Sequence, residues 1–132
     1  VARIDRAVLA LAAAIRAERP NAKTGDFFTP RLAGELRARI FDALTVHDLA
    51  PGDVREAEAA DGVDPSLVTL WVNGPFPWAY SSAMFPCVLE ALPPLPAELQ
   101  YRIVGDTLVL IDVHASLVVD LLPSALTPTT ER

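Results

Sequence analysis

Cysteine is almost missing: Cys87 is the only one in 132 residues. No intramolecular disulfide and no thiolate-rich zinc site can form, and cysteine usage is silent on redox compartment. Histidine is nearly as scarce, with His47 and His114 alone, so the His-rich tracts of metal sensors are excluded. The six glycines never fall as G-x-G, which removes the glycine-rich phosphate loops. Basic residues are outnumbered, 11 Lys and Arg against 17 Asp and Glu, for a formal net charge of −6. Nucleic acid is bound by clustered cations that neutralise phosphates. Here Arg3, Arg6, Arg16, Arg19, Arg31, Arg37 and Arg39 alternate with acids or fall on water-facing positions, so no nucleic-acid partner is expected. Long apolar runs are lacking too. The stretch 7–14 is alanine-rich but closely flanked by charge, far short of the roughly 20 residues that cross a bilayer. It reads as an amphipathic helix, and no membrane insertion is expected.

What is present is a globular composition, 52% hydrophobic and 21% charged. One domain is expected over residues 1–126, followed by a flexible tail at 127–132. The first residue is Val1 in place of Met, the start expected of a chain from which a leader has been removed, or of a trimmed one.

The C-terminal third organises the rest. Its apolar residues are mostly β-branched, and Gly105-Asp106 is a two-residue break whose leading glycine can take the positive φ of a type II′ hairpin. Strands are expected at 101–104, 107–113 and 117–122, with 114–116 as the second turn. In 107–113 both alternating sets are apolar, Val109 and Ile111 on one side and Leu108 and Leu110 on the other. That strand should be central and covered on both faces.

Helices precede it. Ile4, Val8, Leu11 and Ile15 form one helical stripe that ends before Pro20. Thr29-Pro30 is a helix start, since Thr29 can accept from free backbone N–H groups and Pro30 at the first helical position forgoes none it needs. Leu32, Leu36, Ile40 and Leu44 follow at four-residue spacing, a face expected to pack on the first helix. Pro51, Asp53 and Glu56 suggest a short third helix. The β-branched and aromatic run 67–72 predicts a further strand joining the meander. Residues 73–82, with Pro75 and Pro77, predict an aromatic loop, and Pro86 opens a short helix that Pro93 and Pro94 follow as a stiff connector. Helices segregated from antiparallel strands define an α+β fold: two or three N-terminal helices on a small antiparallel sheet ending in a three-stranded meander.

Three places carry candidate chemistry. Asp112 and His114 stand two apart on a strand and so point to one side, with Asp120 on the next strand and Asp106 in the turn. Such residues build metal sites or acid–base pairs, and equally they serve as strand-end groups that satisfy turn backbone. Cys87 follows Pro86 where a short helix begins, a setting that suits a reactive thiol with His47 or His114 as base, although no companion motif accompanies it and free cysteines are commonly buried. Ser81, Ser82 and Ser116 lack a nucleophile elbow. The third place is the aromatic and proline-rich loop: Phe76, Trp78, Tyr80 and Phe85, with Trp71 just before it. Aromatic area on a stiffened backbone makes binding anchors, or it covers an open sheet face.

The segment Tyr101-Arg-Ile-Val-Gly-Asp-Thr-Leu-Val-Leu-Ile-Asp-Val-His-Ala-Ser-Leu-Val-Val-Asp-Leu-Leu-Pro-Ser-Ala-Leu126, preceded by Leu92-Pro-Pro-Leu-Pro96, resembles the end of a family of small uncharacterised exported bacterial proteins. The shorter hairpin and return strand is similar to C-terminal hairpins of periplasmic proteins of the nickel/cobalt-homeostasis type. The resemblance implies a periplasmic or secreted location, with the cytoplasm as the alternative, and implies no activity or functional residue. The expected function is therefore a non-enzymatic binding protein without a cofactor, acting on a protein partner or on itself as a homodimer through Trp71, Phe76, Trp78, Tyr80 and Phe85. The alternative is a metal-dependent or hydrolytic enzyme using Asp112, His114 and Asp120.

Overall fold

Three strands, Leu99–Val104 (β1), Thr107–Asp112 (β2) and Leu117–Leu122 (β3), form one antiparallel sheet in the order β1-β2-β3. The computed structural model describes residues 2–81 and 84–127, with backbone alone for residues 2–5 and Tyr80. Ser82 and the expected tail beyond Thr127 lie outside the described residues.

Hairpin chemistry sets the first turn. Gly105 takes φ +63°, and Val104 pairs with Thr107 across it. The second turn reverses at Ser116, φ +51°. A bulge between Leu110 and Ile111 on one strand and Val118 to Asp120 on the other shifts the β2–β3 register. As the doubled apolar alternation requires, β2 is central, and Leu108, Val109, Leu110 and Ile111 are all buried.

One face of the sheet carries the main core. Tyr101, Ile103, Leu108, Leu110, Val119 and Leu122 pack there against Phe28, Leu36, Ile40 and Leu44, with Val88 and Leu92. The helices are Ala2–Glu18 (α1), Pro30–Val46 (α2), Pro51–Ala60 (α3) and Pro86–Ala91 (α4). At the start of α2 the Thr29 hydroxyl accepts from Leu32 N–H at 3.4 Å, and Pro30 occupies the first turn. The α3 start is closed by Asp53, whose carboxylate accepts from Ala50 N–H at 2.7 Å. No described helix is long and apolar enough to cross a membrane.

Two expectations are corrected. Among the described residues the apolar face of α2 packs on the sheet and α4, and not on α1. Instead α1 meets the end of the sheet through Ala12 and Ile15, which pack with Ala115 and Leu117. Its contact residue is the small Ala12, which allows close approach, so Leu11 of the expected stripe is left exposed.

The second correction concerns 67–72. This run is not a strand of the sheet. After a single 3-10 turn, Pro65–Leu67, it lies extended over the sheet's other face, where Val68, Leu70 and Val72 pack on Val104, Val109, Ile111, Val118 and Leu121. A period-2 apolar set fits a sheet face from above as well as it fits a place in the ladder. Here the following turn directs the chain to the edge of β3 only at Pro75, which bridges Leu117.

Candidate binding surface

Asp64 opens the segment. Its carboxylate accepts from the Ser66 hydroxyl at 2.6 Å and from Ser66 N–H at 3.0 Å. Those two bonds, the hydroxyl first, hold the carboxyl below its ordinary value of 3.8. Val68 is extended, φ −110° and ψ 131°. With Val68, Leu70 and Val72 turned to the sheet, Leu67, Thr69 and Trp71 face water, as the two-residue period of an extended chain demands. Leu67 is 71% exposed and Trp71 53%.

The ridge is pinned at its far end. Gly74 N–H donates to Trp71 C=O at 2.9 Å, closing a four-residue turn in which Asn73 takes φ +68°, a conformation asparagine tolerates. Asn73 then ties three parts of the fold together. Its N–H donates to Val118 C=O at 2.8 Å, its Nδ2 donates to Arg19 C=O at 2.9 Å, and its C=O accepts from Arg16 Nε at 2.8 Å. The Trp71 indole lies flat against Gly74, close enough that a Cβ on Gly74 would sit 2.6 Å from its Nε1. An exposed tryptophan is thereby held in one place by backbone it could not approach beside any larger residue.

Phe76 and Trp78 serve the cover. Phe76 is 4% exposed and meets Trp78 edge to face, with centroids 4.7 Å apart. Trp78 Nε1 donates to Ser116 Oγ at 3.0 Å, and the Arg102 guanidinium stands 5.2 Å from its ring centroid. Phe85 packs on the main core just before α4. Tyr80 ends the 3-10 turn Trp78–Tyr80, and its side chain is outside the described residues. Of the four aromatics singled out from the sequence whose side chains are described, Trp71 is the one that the fold turns outward.

A cleft of about 520 Å³ runs beside the segment. Val68 and Leu70 line one side, Val104, Leu121 and Pro123 the other, and Thr24, Ser66 and Thr107 add hydroxyls. Asp106, in the β1–β2 turn, is the only charged residue of the lining and is exposed. Among the described residues, the N–H groups of Thr69, Leu70, Trp71 and Val72 have no hydrogen-bond partner, nor do the carbonyls of Thr69, Leu70 and Val72. Beyond the extended Val68, the segment therefore runs to its turn at Val72 without a strand's ladder.

The polar candidates are placed apart. Asp112 takes the turn-capping role, its Oδ1 accepting from His114 N–H and Ala115 N–H, each at 2.9 Å. His114 is exposed beyond that turn. Asp120 is 0% exposed and spends both oxygens on backbone: Oδ1 accepts from Gly25 and Leu121, both at 2.8 Å, and Oδ2 from Phe27 and Phe28, both at 2.7 Å. No group of three or more His, Cys, Asp or Glu able to hold a metal occurs among the described residues. The bulge and the loop before α2 claim Asp120, so the three side chains expected to converge do not. Cys87 and His47 do line one cleft, about 520 Å³, with Leu49, Phe85, Pro86 and Glu90.

Sequence reasoning missed Leu67 and Thr69, although the period-2 pattern of 67–72 held the signal, and it grouped Asp106 with the carboxylates of the meander. It also missed Glu58. This residue of α3 is 2% exposed; its Oε2 accepts from Gly105 N–H at 3.0 Å while Oε1 is unpartnered. Burial, outweighing the Gly105 bond and Arg55, pushes its carboxyl above the ordinary 4.5. No family model, curated protein or solved structure matches the chain.

Proposed function

We propose that this protein is a non-enzymatic binding module that docks a protein partner on the ridge Leu67, Thr69 and Trp71. The observation that carries this reading is Trp71, 53% exposed yet held against Gly74 by a closed turn. A large aromatic fixed before binding loses little conformational freedom on docking, which is what makes such residues anchors. Leu67 extends the apolar contact on the same side, and Thr69 between them offers a hydroxyl. Phe76, Trp78 and Phe85 support the ridge from beneath or stand apart from it, so the contact belongs to the first part of the aromatic region. The engagement of Asp112 and Asp120 by backbone N–H groups supports binding over the enzyme alternative.

Panning a displayed library of random peptides against the immobilised protein tests this. Wild type should enrich a set of related sequences, and Leu67→Ser with Trp71→Ser should abolish the enrichment while circular dichroism and thermal unfolding stay as they were. Equal enrichment by the double variant would end this reading.

A further inference from the structure

The open backbone beside Trp71 says how a partner would bind. Resting on the docking surface just proposed, we infer that the partner is an extended peptide that adds as a strand along residues 69–72, with its inward side chains in the adjoining cleft and a Lys or Arg against Asp106. Each part has a separate observation behind it. Backbone N–H and C=O groups in an extended chain present a ready template for another strand; the N–H groups of residues 69–72 have no partner among the described residues, and alternate ones would serve a strand added along one side. Pro65 and Pro75 flank the segment, so the template is short and bounded.

The cleft supplies the side-chain selectivity. In an added strand alternate side chains point down, toward the same sheet that Val68 and Leu70 cover. They would enter the space of about 520 Å³ where Val68, Leu70, Leu121 and Pro123 stand beside the hydroxyls of Thr24, Ser66 and Thr107, a mixed lining that favours small or medium side chains with a hydroxyl or a short apolar group. Outward side chains of the same peptide would pack on Leu67 and Trp71. Charge fixes the remaining preference. Asp106 is the only charged residue in the lining, its carboxylate has no partner among the described residues, and the whole chain carries −6. A cation near the β1–β2 turn is attracted, whereas an acid there is repelled both locally and by the field of the whole protein.

Peptides recovered by the panning serve as the probe. They are resynthesised with one backbone N-methyl group at each position in turn, because antiparallel pairing uses the N–H of alternate residues only. Strand addition predicts about a tenfold or larger loss at every second residue and little change between. Asp106→Asn should weaken peptides bearing Lys or Arg by roughly three- to tenfold at low salt, with the difference fading at high salt. A flat N-methyl profile with binding still lost in Trp71→Ser would overturn strand addition and leave the docking ridge standing. Binding indifferent to Trp71 would remove both. A second copy is the competing occupant: if Thr69→Cys in a Cys87→Ser background closed an intermolecular disulfide and the untreated wild type showed a dimer mass, the peptide assignment would fall. Failure of any peptide to enrich would count against both proposals.

Discussion

Replacing Asp120 by Asn should cost nearly as much stability as replacing it by Ala. The carboxylate is 0% exposed and accepts from four backbone N–H groups, two on each oxygen. An amide keeps one oxygen and puts an NH₂ where the other was. Whichever way it is turned, two N–H groups, one buried and one part-buried, then face a donor: Phe28 and Phe27 in one orientation, Leu121 and Gly25 in the other. A bond to a charged acceptor contributes roughly 1.5–3 kcal/mol, and a buried donor left unpaired costs about 1–3 kcal/mol. Two such losses give about 3–6 kcal/mol for Asp120→Asn, a large part of the roughly 5–15 kcal/mol that stabilises a domain. Alanine loses all four bonds but leaves a space that water can enter, which limits its cost to a similar value. Urea unfolding followed by tryptophan emission measures both variants, and an unchanged m-value confirms that stability is what moved. Amide exchange should quicken at Gly25, Phe27 and Phe28 before it does in the sheet. An Asn variant within about 1 kcal/mol of wild type would show that the N–H groups find other acceptors and that this reading of the anchor is wrong.

Glu58 gives a pH-dependent case. Because burial raises its carboxyl above 4.5 in the folded state, the native protein keeps that proton to higher pH than the unfolded chain does. Its contribution is therefore full below about pH 4.5 and is lost as the pH rises through the folded value. Glu58→Gln should match wild type near pH 4 and exceed it at pH 7 in thermal unfolding; the reverse order would refute the assignment. Gly74→Ala should leave the fold intact but drive the indole of Trp71 away, red-shifting part of the emission, since the new Cβ would stand 2.6 Å from Nε1 and take the place against which the ring is held. Gly105→Ala should destabilise by about 1 kcal/mol or more, because φ +63° strains an L side chain and the Cβ would meet Pro65 at 3.3 Å.

The meander was legible because its signals are local. Gly105 supplies the positive φ, the β-branched runs supply the strands, and the doubled alternation of 107–111 marks the central one. Thr29-Pro30 announced α2 for the same kind of reason. What failed depended on where an element lies against others. The run 67–72 has strand composition, and composition reports an extended, half-buried chain without telling a place in the ladder from a place above it. The docking face of α1 turned on Ala12, whose small side chain carries little hydrophobic signal. Asp120 was read as a possible ligand because its true partners, at Gly25 to Phe28, lie as far as 95 positions away in sequence. Trp71 was picked out with its neighbours, but the turn that leaves it outside while Phe76 goes in is written in Asn73 and Gly74, which aromatic content does not weigh.

The anchor at Asp120 also fixes an order of events on the ribosome. The loop ahead of α2 is held by a carboxylate in the last strand, and the α2 core face rests on the same sheet. All of the helical half emerges before any strand does. Until β3 has left the exit tunnel, the early helices have neither their seat nor their clasp, and their apolar faces stay open to chaperones or to neighbouring nascent chains. The long closure makes folding slow to begin for a chain of this size, because the ends must meet before the contacts between them can reward it. A chain released before Leu117 would then carry the whole helical sequence and no domain, with its short helices marginal for want of a seat.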